Sequence, residues 1–258
     1  MTPVTEEFAG ISNYKLLLET PAFMLAVQNT VRFTVTCLPL LILLSLIVTL
    51  MLMQLRRIQM IKSMLLFPLA VPTATVVLIW KMIFARQGFW NGFLMKLSTW
   101  IGMGPEFTGK TAIDYMGSSM AFWVLVFSYI WKNIGYTVVL WLAGFQGIST
   151  DMIEAAKVDG AGKIRCFWYI ILPNLQGTLY TIIVLSFLNS FKVFREAYLV
   201  AGSYPDKSMY LLQHLFNNWF VNMEFHKMAA AAVLIGVILF TIILIMQMLW
   251  VDKEERVR

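Results

Sequence analysis

Charge is scarce in this 258-residue chain: Lys, Arg, Asp and Glu make up 13% of it, against 59% hydrophobic residues. A soluble domain carries about 25% charge and about 45–50% apolar residues. That balance excludes a disordered chain and argues against a water-soluble globule. Cysteine is nearly absent. Cys37 and Cys166 lie far apart, in or beside apolar stretches, and no CxxC or His/Cys ligand spacing occurs. A disulfide framework or a metal site therefore has no support. His214 and His226 are isolated and read as ordinary interface residues. No GxxxxGK[ST] phosphate loop is present, so the chain cannot hydrolyse ATP by that route. No basic region followed by an apolar stretch opens the chain, so no signal peptide is visible. The alternating segments of a transmembrane β-barrel are missing too.

Long apolar runs take their place. Five stretches, at about 33–53, 64–84, 119–146, 175–193 and 228–251, are long enough to cross the hydrocarbon as helices. The reading is an all-α, polytopic membrane bundle with five transmembrane helices, in one domain over residues 1–258. Pro39, Pro68 and Pro72 fall within spans, which membrane helices tolerate. The net charge of +6 sits mostly in short clusters between the runs, which points to membrane topology rather than nucleic acid. The Arg56–Arg57–Lys62 cluster and the Lys253, Arg256 and Arg258 tail put those segments inside, giving N-out, C-in. Trp90, Trp100 and Trp219 then fall in outer loops, where an aromatic belt would sit. None of the five stretches contains Asp or Glu, which weighs against an ion-coupled secondary transporter. No His/Asp/Glu cluster marks a membrane enzyme.

The loop at about 150–165 is the most informative segment. Ser149 or Thr150 is placed to cap a helix, with Asp151 and Glu154 in its first turn, where acids meet the positive helix end. Ala155 and Ala156 favour helix, and Gly160 and Gly162 stop it. The product is a short helix of about two turns whose small residues allow close approach by another protein. On local physics alone an ordinary amphipathic connector fits equally well. Within the spans, Ser186, Asn189 and Ser190 are candidate pathway residues. Asn189 leads, because an amide there should face protein or water. A helix–helix hydrogen bond is the alternative. Lys132 interrupts an uncharged stretch; it either lines a cavity, snorkels to the outer interface or pairs between helices. Lys192 and Arg195 mark the outer end of the fourth span, and Trp80 and Trp131 read as packing or belt residues.

Glu154-Ala155-Ala156, Gly160 and Ile170-Ile171-Leu172-Pro173 together resemble the EAA signature of permease subunits of binding-protein-dependent ABC importers. The form Glu-Ala-Ala-Lys-Val-Asp-Gly-Ala-Gly is similar to the carbohydrate branch, of maltose type and glycerol-phosphate type. Asn13-Tyr14, Leu66-Phe67-Pro68, Ile130-Trp131-Lys132 and Ala229–Ala232 resemble other stretches of the same family, so the likeness runs over roughly residues 11–251. Carbohydrate permeases of this type commonly carry a further span before the Asn-Tyr segment. The resemblance implies a methionine-importer-like permease core in the bacterial cytoplasmic (inner) membrane, with a cytoplasmic coupling helix. It implies ATP-binding cassette ATPase subunits, a second homologous permease, an extracellular solute-binding protein and the lipid bilayer as partners, and no nucleic acid. It implies no cofactor of the chain's own, since a partner hydrolyses ATP. Glu154, Ala155, Ala156, Asp159 and Gly160 would then form the ATPase-coupling loop: Glu154 in a charged contact, Ala155 and Ala156 packed in the ATPase groove, Gly160 setting the turn, and Asp159 ordering the loop locally more than touching the ATPase. The cargo would be a sugar or oligosaccharide, with a polyol or glycerol phosphate as the alternative.

Overall fold

The computed structural model describes residues 10–55, 58–102, 113–191, 193, 197–198 and 205–257, without the side chains of 58–59 and 251–257. Arg56, Arg57, Lys192 and Arg195, and the side chains of Lys253, Arg256 and Arg258, lie outside the described residues. The regular structure among the described residues is helical. Its elements are α1 (Ser12–Glu19), α2 (Pro21–Leu52), α3 (Ile58–Ala70), α4 (Thr73–Phe84), α5 (Phe89–Trp100), α6 (Ala121–Gln146) and α7 (Thr150–Val158). Then come α8 (Lys163–Asn174), which contains a π-helical turn, α9 (Gln176–Ser190), α10 (Leu212–Val221) and α11 (Phe225–Val257).

Three helices, α2, α6 and residues Phe225–Trp250 of α11, are long and apolar enough to cross a membrane, and two bent pairs bring the total to as many as five. α2 begins at Pro21, twelve residues before the apolar run at 33, because Arg32 does not end it. The guanidinium instead lies 4.4 Å over the Phe122 ring, where its charge meets the aromatic face. The run at 64–84 is not one helix. Pro72 has no N–H to carry the ladder and disfavours helix at Val71. The stretch Thr73–Trp100 therefore turns by 92° from Met60–Ala70. α9 has 15 residues, about 22 Å of rise, short of the roughly 30 Å of hydrocarbon. It meets α8 at a bend of 63°.

α6 is the hub, with α2, α3 and α9 packed around it. Phe33 meets Phe122 and Tyr129 edge-on near one end, and Trp141 donates to Ser45 near the other, so α2 and α6 run parallel. Leu65 of α3 packs by Gly135 and Thr73, just past α3, bonds Lys132; Thr178 of α9 packs by Gly144 and Ser186 bonds Tyr129, so both of these helices run antiparallel to α6. α11 leaves Val237, Phe240, Met248 and Leu249 exposed, an apolar surface suited to lipid. At the end opposite α7, α1, α2, α10 and α11 close a cluster of Leu17, Phe23, Ala26, Leu215, Trp219 and Ala231. Trp219 belongs to this core, 4% exposed and stacked on Phe23, and is not a belt residue. Asn29 of α2 clamps the turn before α10 by donating to the Lys207 and Tyr210 carbonyls at 2.6 and 3.0 Å.

Two predictions follow from this packing. A Cβ at Gly135 would fall on the Leu65 carbonyl, whereas one at Gly236 meets nothing within 4 Å. Gly135→Ala should therefore cost about 1–3 kcal/mol and lower the Tm of the detergent-solubilised protein. Gly236→Ala should not, and equal Tm values for the two variants would remove the close α3–α6 contact. His214 of α10 is fully buried and accepts the Leu211 N–H at Nδ1. Burial pushes its pKa down to about 4, against about 6.5 in an unfolded chain. Its contribution to stability is whole above about pH 6.5 and lost as pH falls toward 4. Tm should drop across that window. In His214→Asn, whose Oδ1 can replace Nδ1 as acceptor, the drop should flatten; an unchanged slope would exonerate His214.

Candidate functional site

The sequence-predicted residues fall into two places, the α7 loop and a cavity beside α6. In the loop, Ser149 has extended backbone and starts α7, but its side chain makes no capping bond. Asp151 lies in the first turn; Glu154 lies one turn further on, away from the helix end that was expected to hold it. At the other end the Gly160 N–H reaches the Lys157 carbonyl at 3.1 Å and the Ala161 N–H reaches the Ala156 carbonyl at 2.9 Å. This reciprocal pair is a Schellman stop, and it requires the left-handed φ of +80° that Gly160 adopts. A Cβ on Gly160 would meet nothing within 4 Å, so the demand for glycine there is conformational and not steric. Glu154, Ala155, Val158 and Asp159 face outward. Ala156 faces inward at 8% exposure, so the two alanines do not share one surface. The Asp159 carboxylate is exposed and accepts no loop N–H among the described residues.

The cavity has a volume of about 340 Å³ and is bounded by Leu69, Tyr129, Lys132, Asn133, Tyr136 and Asn189, among others. Lys132 and Asn189, from different helices, are thus brought together. Lys132 Nζ donates to Thr73 Oγ1 at 3.1 Å, beside the break between α3 and α4. Its side chain thus lines the cavity wall and also links α6 to the start of α4, an interhelical pairing. Asn189 Nδ2 donates to the Tyr136 hydroxyl at 3.2 Å, and that hydroxyl is 3.2 Å from Ser186 Oγ. Ser186 is fully buried behind the cavity, and its carbonyl accepts the Tyr129 hydroxyl at 2.7 Å. Ser190 points the other way. Its hydroxyl donates to the Phe187 carbonyl and lies 3.0 Å from Thr34 of α2, so it fastens α9 to α2 instead of lining the cavity.

Tyr129, Asn133 and Tyr136 escaped the sequence reading. Their signal was present: Tyr129, Lys132, Asn133 and Tyr136 recur at i, i+3, i+4 and i+7, one face of a helix. A polar stripe of this kind within a membrane helix has to face protein or water. Trp80 and Trp131 pack edge-on at 5.3 Å, and Trp80 donates to Ser128 at 2.9 Å, so both work as packing residues. With hydroxyls, amides and one ammonium, the cavity can hydrogen-bond a polyhydroxylated solute.

Residues 31–257 match the family described as binding-protein-dependent transport system inner membrane component. The arabinooligosaccharides transport system permease protein AraP of Bacillus subtilis (strain 168) is 27% identical over 255 residues, covering 96% of this chain and 76% of AraP. The sn-glycerol-3-phosphate transport system permease protein UgpA of Brucella abortus biovar 1 (strain 9-941) is 28% identical over 242 residues, covering 91% of this chain and 78% of UgpA. Among solved structures, a bacterial ABC transporter involved in the import of the acidic polysaccharide alginate aligns with a TM-score of 0.75 at 18% identity, covering 95% of this chain and 84% of that one. That last likeness bears on the fold alone. With the helical architecture and the EAA loop already in place, the chain belongs to the inner-membrane components of binding-protein-dependent transport systems: it is a permease subunit, not an enzyme.

Proposed function

We propose that this permease forms half of the pathway of an ATP-driven importer for a sugar or oligosaccharide. The observation that carries the reading is the polar cavity between α6 and α9. Its volume of about 340 Å³ lies within the roughly 300–1,000 Å³ of small-molecule sites. Several relatives carry saccharides by name, AraP and a trehalose/maltose permease of Thermococcus litoralis among them. In this reading Asn189 and Lys132 contact cargo, Tyr136 positions Asn189, and Ser186 supports Tyr136 from behind. Ser190 drops out as a contact. A polyol or glycerol phosphate is the second reading, favoured by the UgpA relatives and by the ammonium of Lys132 in the cavity.

The energy would come from two cytoplasmic ATPase subunits, with a second permease completing the pathway and an extracellular binding protein delivering the cargo. α7 would seat on an ATPase subunit through Glu154 and Ala155, with Asp159 exposed at its rim. Ala156 would hold α7 to its own chain, and Gly160 would set the angle at which α7 leaves it. ATPase closure would then rock the attached helices between inward- and outward-facing states.

Each part has its own test. Glu154→Ala and Gly160→Val should abolish ATP-dependent uptake in proteoliposomes while the chain still assembles in the membrane. Normal transport by both would remove the docking role. Tyr136→Phe removes one hydroxyl without emptying the cavity. It should raise KM by roughly fivefold, the worth of about 1 kcal/mol. Asn189→Ala should change the ranking among several sugars, and identical uptake of all of them would take both residues out of the pathway. Transport that persists after ATP depletion and collapses with an ion gradient would overturn the importer reading altogether.

A further inference from the structure

One face of α8 has no use in the coupling scheme. Ile164 is 77% exposed, Trp168 59% and Tyr169 77%. Their spacing of i, i+4 and i+5 sets them along one stripe, and exposed Arg165 lies in the same stripe. Cys166, between them in sequence, turns inward at 5% exposure. With Lys163 and Gly162 these residues line one open hollow, and no acid is among them. The Schellman stop at Gly160 separates this hollow from Glu154 and Ala155 of α7.

The chemistry of the stripe selects its partner. Two cations without a neighbouring acid complement an anion. Trp and Tyr beside them favour the headgroup level of a bilayer, where the ring body and its polar tip are both satisfied. The geometry agrees. α8 turns by 63° into α9, so it lies oblique to the helix that leads on to Asn189. A segment so placed, with an aromatic and basic face, rests along an interface.

We infer that the Lys163–Tyr169 face of α8 seats the phosphate headgroups of anionic phospholipids in the cytoplasmic leaflet. Lys163 and Arg165 donate to phosphate oxygens, and Trp168 and Tyr169 lie at the depth of the glycerol region. The inference rests on the cytoplasmic placement of the loop in the proposed function, and not on the identity of the cargo. Anchoring α8 in this way would fix the base about which α9, bearing Asn189, moves.

The test uses the complete importer, with its ATPase subunits and second permease, in phosphatidylcholine nanodiscs doped with brominated phosphatidylglycerol or brominated phosphatidylcholine. The Trp168 share of fluorescence is taken by difference from Trp168→Phe. Brominated phosphatidylglycerol should quench that share more strongly than brominated phosphatidylcholine. Lys163→Gln and Arg165→Gln should each cut the preference by about fivefold at low salt, and added salt should shrink it. Gly236→Ala on α11, where a Cβ meets nothing within 4 Å, should keep it. Equal quenching by the two lipids, or a preference that survives in the double variant, overturns the inference. So does quenching seen only in the isolated permease, which would mean that a protein partner covers the face. The readout involves no cargo or ATP, so it is independent of failure of the sugar reading, and uptake assays are independent of its own failure.

Discussion

A polar group inside the hydrocarbon has to find its partner within the protein. That requirement orders this structure more than any single apolar contact does. α6 carries Ser128, Tyr129, Lys132, Asn133, Tyr136 and Thr137 through its middle, a burden no lipid-facing helix could bear. Asn133 and Thr137 are satisfied within α6, by the carbonyls of Tyr129 and Asn133. The others recruit neighbours: Ser128 takes the Trp80 indole from α4, Lys132 takes Thr73 at the start of α4, and Tyr129 and Tyr136 take Ser186 from α9. Interhelical bonds of this kind average only about 0.6 kcal/mol each. Their value is positional, because they decide which face of α6 turns inward and which helices meet it. The cavity is what remains where the polar groups of α6 and α9 converge without filling the space between them.

Much of the fold could be read from apolar run length, and the short α7 helix from its alanines and its glycine stop. The failures share a cause. Run length treats a charge as the end of a helix, and so missed that Arg32 continues α2 by lying over Phe122. It also treats a proline in a run as a tolerated kink. Pro72, with Val71 forced out of helix before it, breaks the run instead and sends α4 off at a steep angle. In the loop, the turn at Gly160 was legible because only one residue type takes that φ cheaply. Which way Ala156 points was not, since two adjacent alanines look alike in sequence but lie about 100° apart around a helix.

The same contrast holds for the cavity. Asn189 and Lys132 stood out because each is costly in an apolar run. Ser186 and Ser190 did not separate from one another, although they are one turn apart. Ser186 supports the Tyr136 hydroxyl, while Ser190 serves Thr34 on α2. A hydroxyl buried in a helix can be satisfied by its own backbone, so sequence leaves open whether it works for a site or for packing. Tyr129 and Tyr136 were overlooked for the opposite reason: aromatic residues count toward the apolar run, and the hydroxyl at their tip is hidden in the tally.

Position along the chain ties the two regions together. α7, the bent α8 and α9 are consecutive, so a push on α7 reaches Asn189 through a π-helical turn and a 63° bend. Both irregularities fall between the proposed motor contact and the proposed cargo contact. A straight helix there would transmit translation along its axis. A bent pair, pivoting where α8 meets α9, would instead convert that translation into rotation of α9 against α6. The cavity would feel such a rotation directly, because Asn189 and Ser186, both on α9, share the single hydroxyl of Tyr136 on α6. In the proposed cycle, turning α9 would strain both bonds at once, so that the Asn189 amide and the Ser186 wall behind it would shift in the same step.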